Sequence, residues 1–105
     1  MTNDKKQKDL HLQVEARERE VYGYQMNIDN YESLLNLLPK AWPNELFQYQ
    51  GLTSEQIVNQ VPDADMQLVA DCIFRDKIAV TLKIEKLEQR KAILILNAIK
   101  AQLEQ

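Results

Sequence analysis

All three prolines of this chain lie in its middle, at Pro39, Pro43 and Pro62, and they leave a long proline-free stretch on each side. Proline interrupts an α-helix because it lacks the backbone N–H and restricts the residue before it. The chain also has only two glycines, whereas a β-sandwich or barrel needs many turns rich in glycine and proline. This distribution predicts an all-α fold built on a few long helices.

The first proline-free stretch, residues 4–38, carries its apolar side chains in a heptad rhythm. Arg17 fills the one polar slot in a stripe of alternating four-residue and three-residue steps, which comprises Leu10, Val14, Val21, Tyr24, Ile28, Tyr31, Leu35 and Leu38. Such a stripe is typical of a helix that packs along another helix. Gly23 costs this helix about 1 kcal/mol relative to alanine, and it is either a tolerated weak point or a site of close helix approach.

The second proline-free stretch predicts another long helix, over residues 63–103. Lys77 and Lys91 fill the gaps in a similar stripe, which comprises Met66, Ala70, Ile73, Val80, Ile84, Leu87, Leu94, Ala98 and Ala101. We expect the two stripes to face each other, so that the long helices form an antiparallel, coiled-coil-like hairpin. A chain of 105 residues is then a single helical domain.

Residues 39–62 connect the two long helices, and their sequence predicts two short helices. Pro43 can open the first of these, which would run over residues 45–49. Thr53 and Gln56 have the spacing of a capping box at the start of the second.

Three aromatic residues of this connector, Trp42, Phe47 and Tyr49, are candidate recognition residues, because aromatic side chains are enriched in protein interfaces. The alternative, which we favour for Trp42 and Phe47, is that they cap the core of the hairpin.

A further apolar stripe lies on the second long helix, roughly 130° around the helical wheel from the first. Its last part comprises Ala92, Ile95, Leu96, Ile99 and Leu103, and beyond Glu85 and Glu88 it continues with Phe74, Ile78 and Leu82. The first helix can cover only one stripe. We therefore predict that Ile95, Leu96, Ile99 and Leu103 contact another chain, most simply in a symmetric homodimer. The alternative is that the end of the first helix folds over them.

Side chains suited to catalysis or metal binding are scarce. The only histidine, His11, and the only cysteine, Cys72, lie far apart in the sequence, so a Cys/His nucleophile pair has little support. The sequence contains neither the Glu-x-x-His motif of helical di-metal sites nor a glycine-rich phosphate loop. We therefore predict no catalytic, cofactor-binding or metal-binding residue, and we expect Cys72 to be a packed core residue.

Charge and hydropathy narrow the classes of partner. A formal net charge of −3 disfavours nucleic acid, and no apolar run reaches the roughly 18 residues of a membrane span. The single cysteine and the polar N-terminal residues predict a cytoplasmic protein.

We expect a non-enzymatic protein-binding adaptor or regulator that acts through helix–helix contacts and self-associates. Two alternatives stay open: an inhibitor, encoded by a phage or mobile element, of a host defence or nucleic-acid enzyme, and a component of an assembly or scaffold.

Overall fold

The structure, a computed structural model, describes residues 2–104, with side chains from Asp4 onwards. Helices account for 86% of these residues and no strand occurs among them, which confirms the all-α prediction. Two long helices, α1 (Thr2–Asn36) and α3 (Asp63–Leu103), pack together as a helical hairpin. A 3-10 helix (Asn44–Tyr49) and a short helix α2 (Ser54–Gln60) lie between them in sequence.

Local chemistry sets the ends of these helices. α1 stops at Asn36, two residues before the predicted end, because the N–H groups of Leu37 and Leu38 bond to carbonyls three residues back in a tighter turn. The predicted capping box of α2 is present: Thr53 Oγ1 accepts from the backbone N–H of Gln56, and Gln56 Oε1 accepts from that of Thr53. The first connector helix is 3-10 rather than α-helical.

The chain divides into two compact units. One is the continuous segment Tyr31–Thr81, which contains the connector and the first part of α3. The other is formed by the part of α1 up to Asn30 and the part of α3 from Leu82 onwards. Apart from the final turn, the described residues of this second unit all belong to α1 and α3, so we call it the two-helix unit.

The unit Tyr31–Thr81 is organised around a hydrophobic cluster. Its buried members are Trp42, Leu46, Val61, Val69 and Cys72, and Tyr49, Ile57, Met66 and Ile73 pack against them. Val69 and Cys72, both on α3, are 0% exposed. The connector therefore packs on the first turns of α3 and shields them from water.

In the two-helix unit, polar contacts show that α1 and α3 run antiparallel, because partners that come later on α1 lie earlier on α3. Gln89 Nε2 of α3 donates both to Gln25 Oε1 and to the carbonyl of Val21 on α1, at 2.8 Å and 3.3 Å. Further cross-helix contacts include Glu18–Lys100 (3.5 Å) and Asn27–Glu85 (3.3 Å).

The face that α1 buries is the predicted one. Every position of its heptad stripe, from Leu10 to Leu38 and including Arg17, is buried or half-buried. Gly23 is not a site of close approach within the chain, since a Cβ placed there would meet no atom within 4 Å. It is a tolerated weak point of α1.

The prediction of which face of α3 packs against α1 is wrong. The residues expected to face α1 are largely exposed: Val80 by 61%, Ile84 by 52%, Leu87 by 57% and Leu94 by 62%. The buried apolar side chains of α3 in the two-helix unit are instead Leu82, Ala92, Leu96 and Ile99. Since this unit consists of two helices, the burial of these residues means that α1 covers them.

The physical reason is that polar residues take part in the seam between the helices. Glu85 and Gln89 interrupt the apolar pattern in the sequence, yet both make hydrogen bonds across to α1. Leu96 and Ile99 are therefore core residues of the hairpin, which corrects their assignment to an intermolecular surface. Leu103 is half-buried on the same face, and Ile95 is 41% exposed beside it.

Candidate helix-binding surface

The solvent-facing side of α3 in the two-helix unit carries a row of apolar residues that no other described element covers. Its members follow steps of three and four residues and comprise Ile84, Leu87, Lys91, Leu94, Ala98 and Ala101, all exposed. We call this row the outer stripe. At ~1.5 Å per residue it extends for about 26 Å along the helix, and it lies roughly 130° around the helix from the face buried against α1.

Basic side chains line one edge of the outer stripe. Lys83, Lys86 and Arg90 border a shallow groove of about 560 Å³, whose floor includes Leu87 and Leu94. Gln89 and Ile93 complete its lining. The groove is an open surface formed by successive turns of one helix, so it suits an elongated partner better than a small ligand.

The acidic residues of this part of α3, Glu85 and Glu88, interact with residues of α1. Glu85 accepts a hydrogen bond from Asn27 of α1 at 3.3 Å. Partial burial raises the pKa of Tyr24 on α1, and the carboxylates of Glu20, Glu88 and Glu85 raise it further. Glu85 and Glu88 therefore lie near α1, whereas Lys83 and Arg90 line the groove beside the outer stripe.

The predicted recognition residues of the connector have different environments. Trp42 is only 5% exposed, and its indole Nε1 donates to Asp76 Oδ2 at 2.8 Å, so it is part of the core, as we favoured. Tyr49 is half-buried against the hydrophobic cluster. Phe47 is 53% exposed and does not cap the core, which corrects the favoured interpretation of that residue. A recognition role for Phe47 stays a prediction.

A polar network holds the connector against α3. Asp76 accepts from Trp42 through one carboxylate oxygen and pairs with Arg75 Nη2 through the other, at 2.8 Å. Arg75 Nη1 donates to the backbone carbonyl of Lys40, also at 2.8 Å. Charge-assisted hydrogen bonds of this kind are stronger than neutral ones, so the network stabilises the position of the indole.

Cys72 lies within the hydrophobic cluster, 0% exposed. Burial raises the pKa of its thiol, and Asp76 and Asp71 raise it further, whereas Arg75 acts in the opposite direction. A thiol held in its neutral form is a poor nucleophile, so this environment suits packing rather than catalysis.

The described residues bring no three histidine, cysteine, aspartate or glutamate side chains together in a way that could hold a metal ion. Among the helices of residues 2–104, none combines the length and the apolar character needed to cross a membrane. Comparisons of the chain with protein families, curated proteins and solved structures find no match.

Sequence reasoning placed the outer stripe inside the hairpin, so it missed this surface as a candidate site. The sequence nevertheless contains a signal for the buried face, in the polar residues that interrupt the stripes of α3. The residues that interrupt the buried stripe, Glu85 and Gln89, have complementary amide residues at matching positions of α1, Asn27 and Gln25, with which they form hydrogen bonds.

Proposed function

We propose that this protein is a non-enzymatic adaptor or regulator that binds another protein through helix–helix contacts on the outer stripe of α3. The observation that supports this proposal is the exposure of Ile84, Leu87 and Leu94, which are 52%, 57% and 62% exposed on one face of one helix. Single exposed apolar residues are ordinary in soluble proteins. A row of them along one element is typical of an interaction surface.

The spacing of the outer stripe favours a helix as the partner. Apolar residues at alternating steps of three and four keep a straight line along a neighbouring helix, as at the a and d positions of a coiled coil. With α1 and the partner on different faces of α3, a partner helix of about three heptads would cover the outer stripe from Ile84 to Ala101.

Affinity capture with matched variants tests this proposal. The test variant combines Leu87→Glu with Leu94→Glu on the outer stripe. The control combines Leu12→Glu with Met26→Glu on α1, whose side chains are exposed to a similar degree, 63% and 50%. Circular dichroism first establishes that both variants retain the helix content of the wild type.

We expect proteins captured by the wild type and by the α1 control to be lost from the outer-stripe variant, because a buried glutamate in the contact costs binding energy. An amine-reactive cross-linker should join these proteins to Lys83 or Lys91. Equal capture by both variants, or cross-links confined to α1 or the connector, would show that the outer stripe is not the binding surface.

A further inference from the structure

We infer that the occupant of the outer stripe is an acidic amphipathic helix of a different protein. This inference rests on the proposed function and adds the chemistry of the partner. The observation behind it is a set of three exposed cations, Lys83, Arg90 and Lys91, on or beside the outer stripe. They form a basic surface in a chain whose formal net charge is −3.

Charges that flank a helix–helix seam select the partner and its orientation. A helix with apolar residues facing Ile84, Leu87 and Leu94 and with glutamate or aspartate on both flanks would place its carboxylates beside Lys83 and Arg90. The same partner could pair a carboxylate with Lys91, which occupies a core position of the seam. An otherwise unpaired charge there would be costly once it is covered.

A second copy of the outer stripe is a poor match for the same surface. If two α3 helices paired antiparallel about Leu87, Lys83 of each copy would lie beside Arg90 of the other. If they paired in parallel, Lys91 would face its own counterpart. Like charges in contact cost binding energy in both arrangements, whereas an acidic helix would place opposite charges beside Lys83, Arg90 and Lys91.

An anionic membrane would also attract the cations beside the outer stripe, but a helix that binds a membrane needs a different apolar surface. Interfacial helices bury a broad apolar face in the headgroup region. The outer stripe is instead a row at heptad spacing, which is the geometry of a coiled-coil seam, with Lys91 inside it and Lys83 and Arg90 beside it. The structure therefore favours a helix over a lipid surface.

Two synthetic helical peptides of about three heptads test the inference directly. Both carry leucine at the seam positions and share one sequence, except that one has glutamate and the other lysine at every flanking position. Repulsion between like flanks disfavours self-pairing of either peptide. Binding to the full chain is followed by fluorescence anisotropy of the labelled peptide at moderate salt.

We expect the glutamate peptide to bind about tenfold more tightly than the lysine peptide, or better. Combining Lys83→Glu with Arg90→Glu should reverse this preference. Combining Lys5→Glu with Lys8→Glu makes the same change in net charge at the exposed start of α1 and should leave the preference unchanged. Leu87→Glu should abolish binding of both peptides.

The failures of the two proposals are distinguishable. Equal affinity for both peptides, lost with Leu87→Glu, overturns the acidic partner but supports the outer stripe as a helix-binding surface. If neither peptide binds, the acidic partner is also overturned. The proposed function is then retained if proteins captured by the wild type still cross-link to Lys91. A Leu87-dependent rise in mass with concentration, measured by light scattering, overturns the inference in favour of a second copy.

Sedimentation with phosphatidylserine/phosphatidylcholine vesicles supplies the membrane outcome. The helical partner is overturned if the protein binds vesicles, loses that binding with Lys83→Glu and Arg90→Glu, and shows no preference between the two peptides. Preference for the glutamate peptide together with no vesicle binding supports it.

Discussion

Two leucines of the same stretch of α3 distinguish the buried face from the outer stripe. Leu96 is 7% exposed and Leu94 is 62% exposed, although they are the same residue type two positions apart. Truncating a buried leucine to alanine costs about 2–5 kcal/mol. For Leu96→Ala we expect a loss of about 2–3 kcal/mol, near the lower end, because a seam between only two helices can relax around the missing atoms. Leu94→Ala should change the free energy of unfolding by at most about 0.5 kcal/mol.

Urea unfolding followed by far-ultraviolet circular dichroism measures both effects in the same host protein. The measurement is repeated over a range of protein concentrations, because self-association would make the apparent stability depend on concentration. If Leu94→Ala cost as much as Leu96→Ala at every concentration, the outer stripe would be the intramolecular seam, and the assignment of the two faces would be refuted.

Three further substitutions or reactions test other parts of the fold. Trp42→Ala should lower the free energy of unfolding by about 3–5 kcal/mol, and red-shifted fluorescence of the folded wild type would contradict the burial of this indole. Gly23→Ala should raise stability by about 1 kcal/mol, because the added methyl group meets open space, and a loss measured in the same urea assay would indicate a close approach there.

Cys72 should react with a maleimide only as fast as the protein unfolds. Because burial raises the thiol pKa in the folded state, stability should begin to fall as pH rises through the ordinary thiol range, where the unfolded chain loses its proton first. Cys72→Ala should reduce this fall, and the part that remains at higher pH is expected from Tyr24, whose pKa is also raised.

Periodicity was sufficient for α1 and insufficient for α3, and the difference is physical. α1 has one continuous apolar stripe, so its buried face follows directly from the spacing that starts at Leu10. α3 has two stripes that satisfy the same spacing rule. The hydrophobic pattern alone ranks the less interrupted stripe first, but packing also accepts polar residues that find partners across the seam, as Gln89 does with Gln25.

The connector shows a similar division. Local rules predicted the capping box of Thr53 and Gln56, because both partners lie within four residues of each other. The burial of Trp42 and the exposure of Phe47 depend on how the connector packs on α3, and that packing involves residues more than twenty positions away, such as Asp76, which accepts a hydrogen bond from Trp42. Local sequence does not contain this information, whereas the tertiary contacts do.

The uneven distribution of buried residues along α3 has a consequence for amide hydrogen exchange. Its fully buried residues, Val69 and Cys72, lie in the unit Tyr31–Thr81, whereas α3 in the two-helix unit is supported by α1 alone. Local opening takes less free energy where fewer apolar contacts must be broken, so amides around Leu94 should exchange sooner than those around Val69. A helix bound on the outer stripe would add contacts in this more labile part. Binding of such a helix would then be detectable as slower amide exchange along the second half of α3. Binding and the local stability of this part of α3 would therefore be coupled.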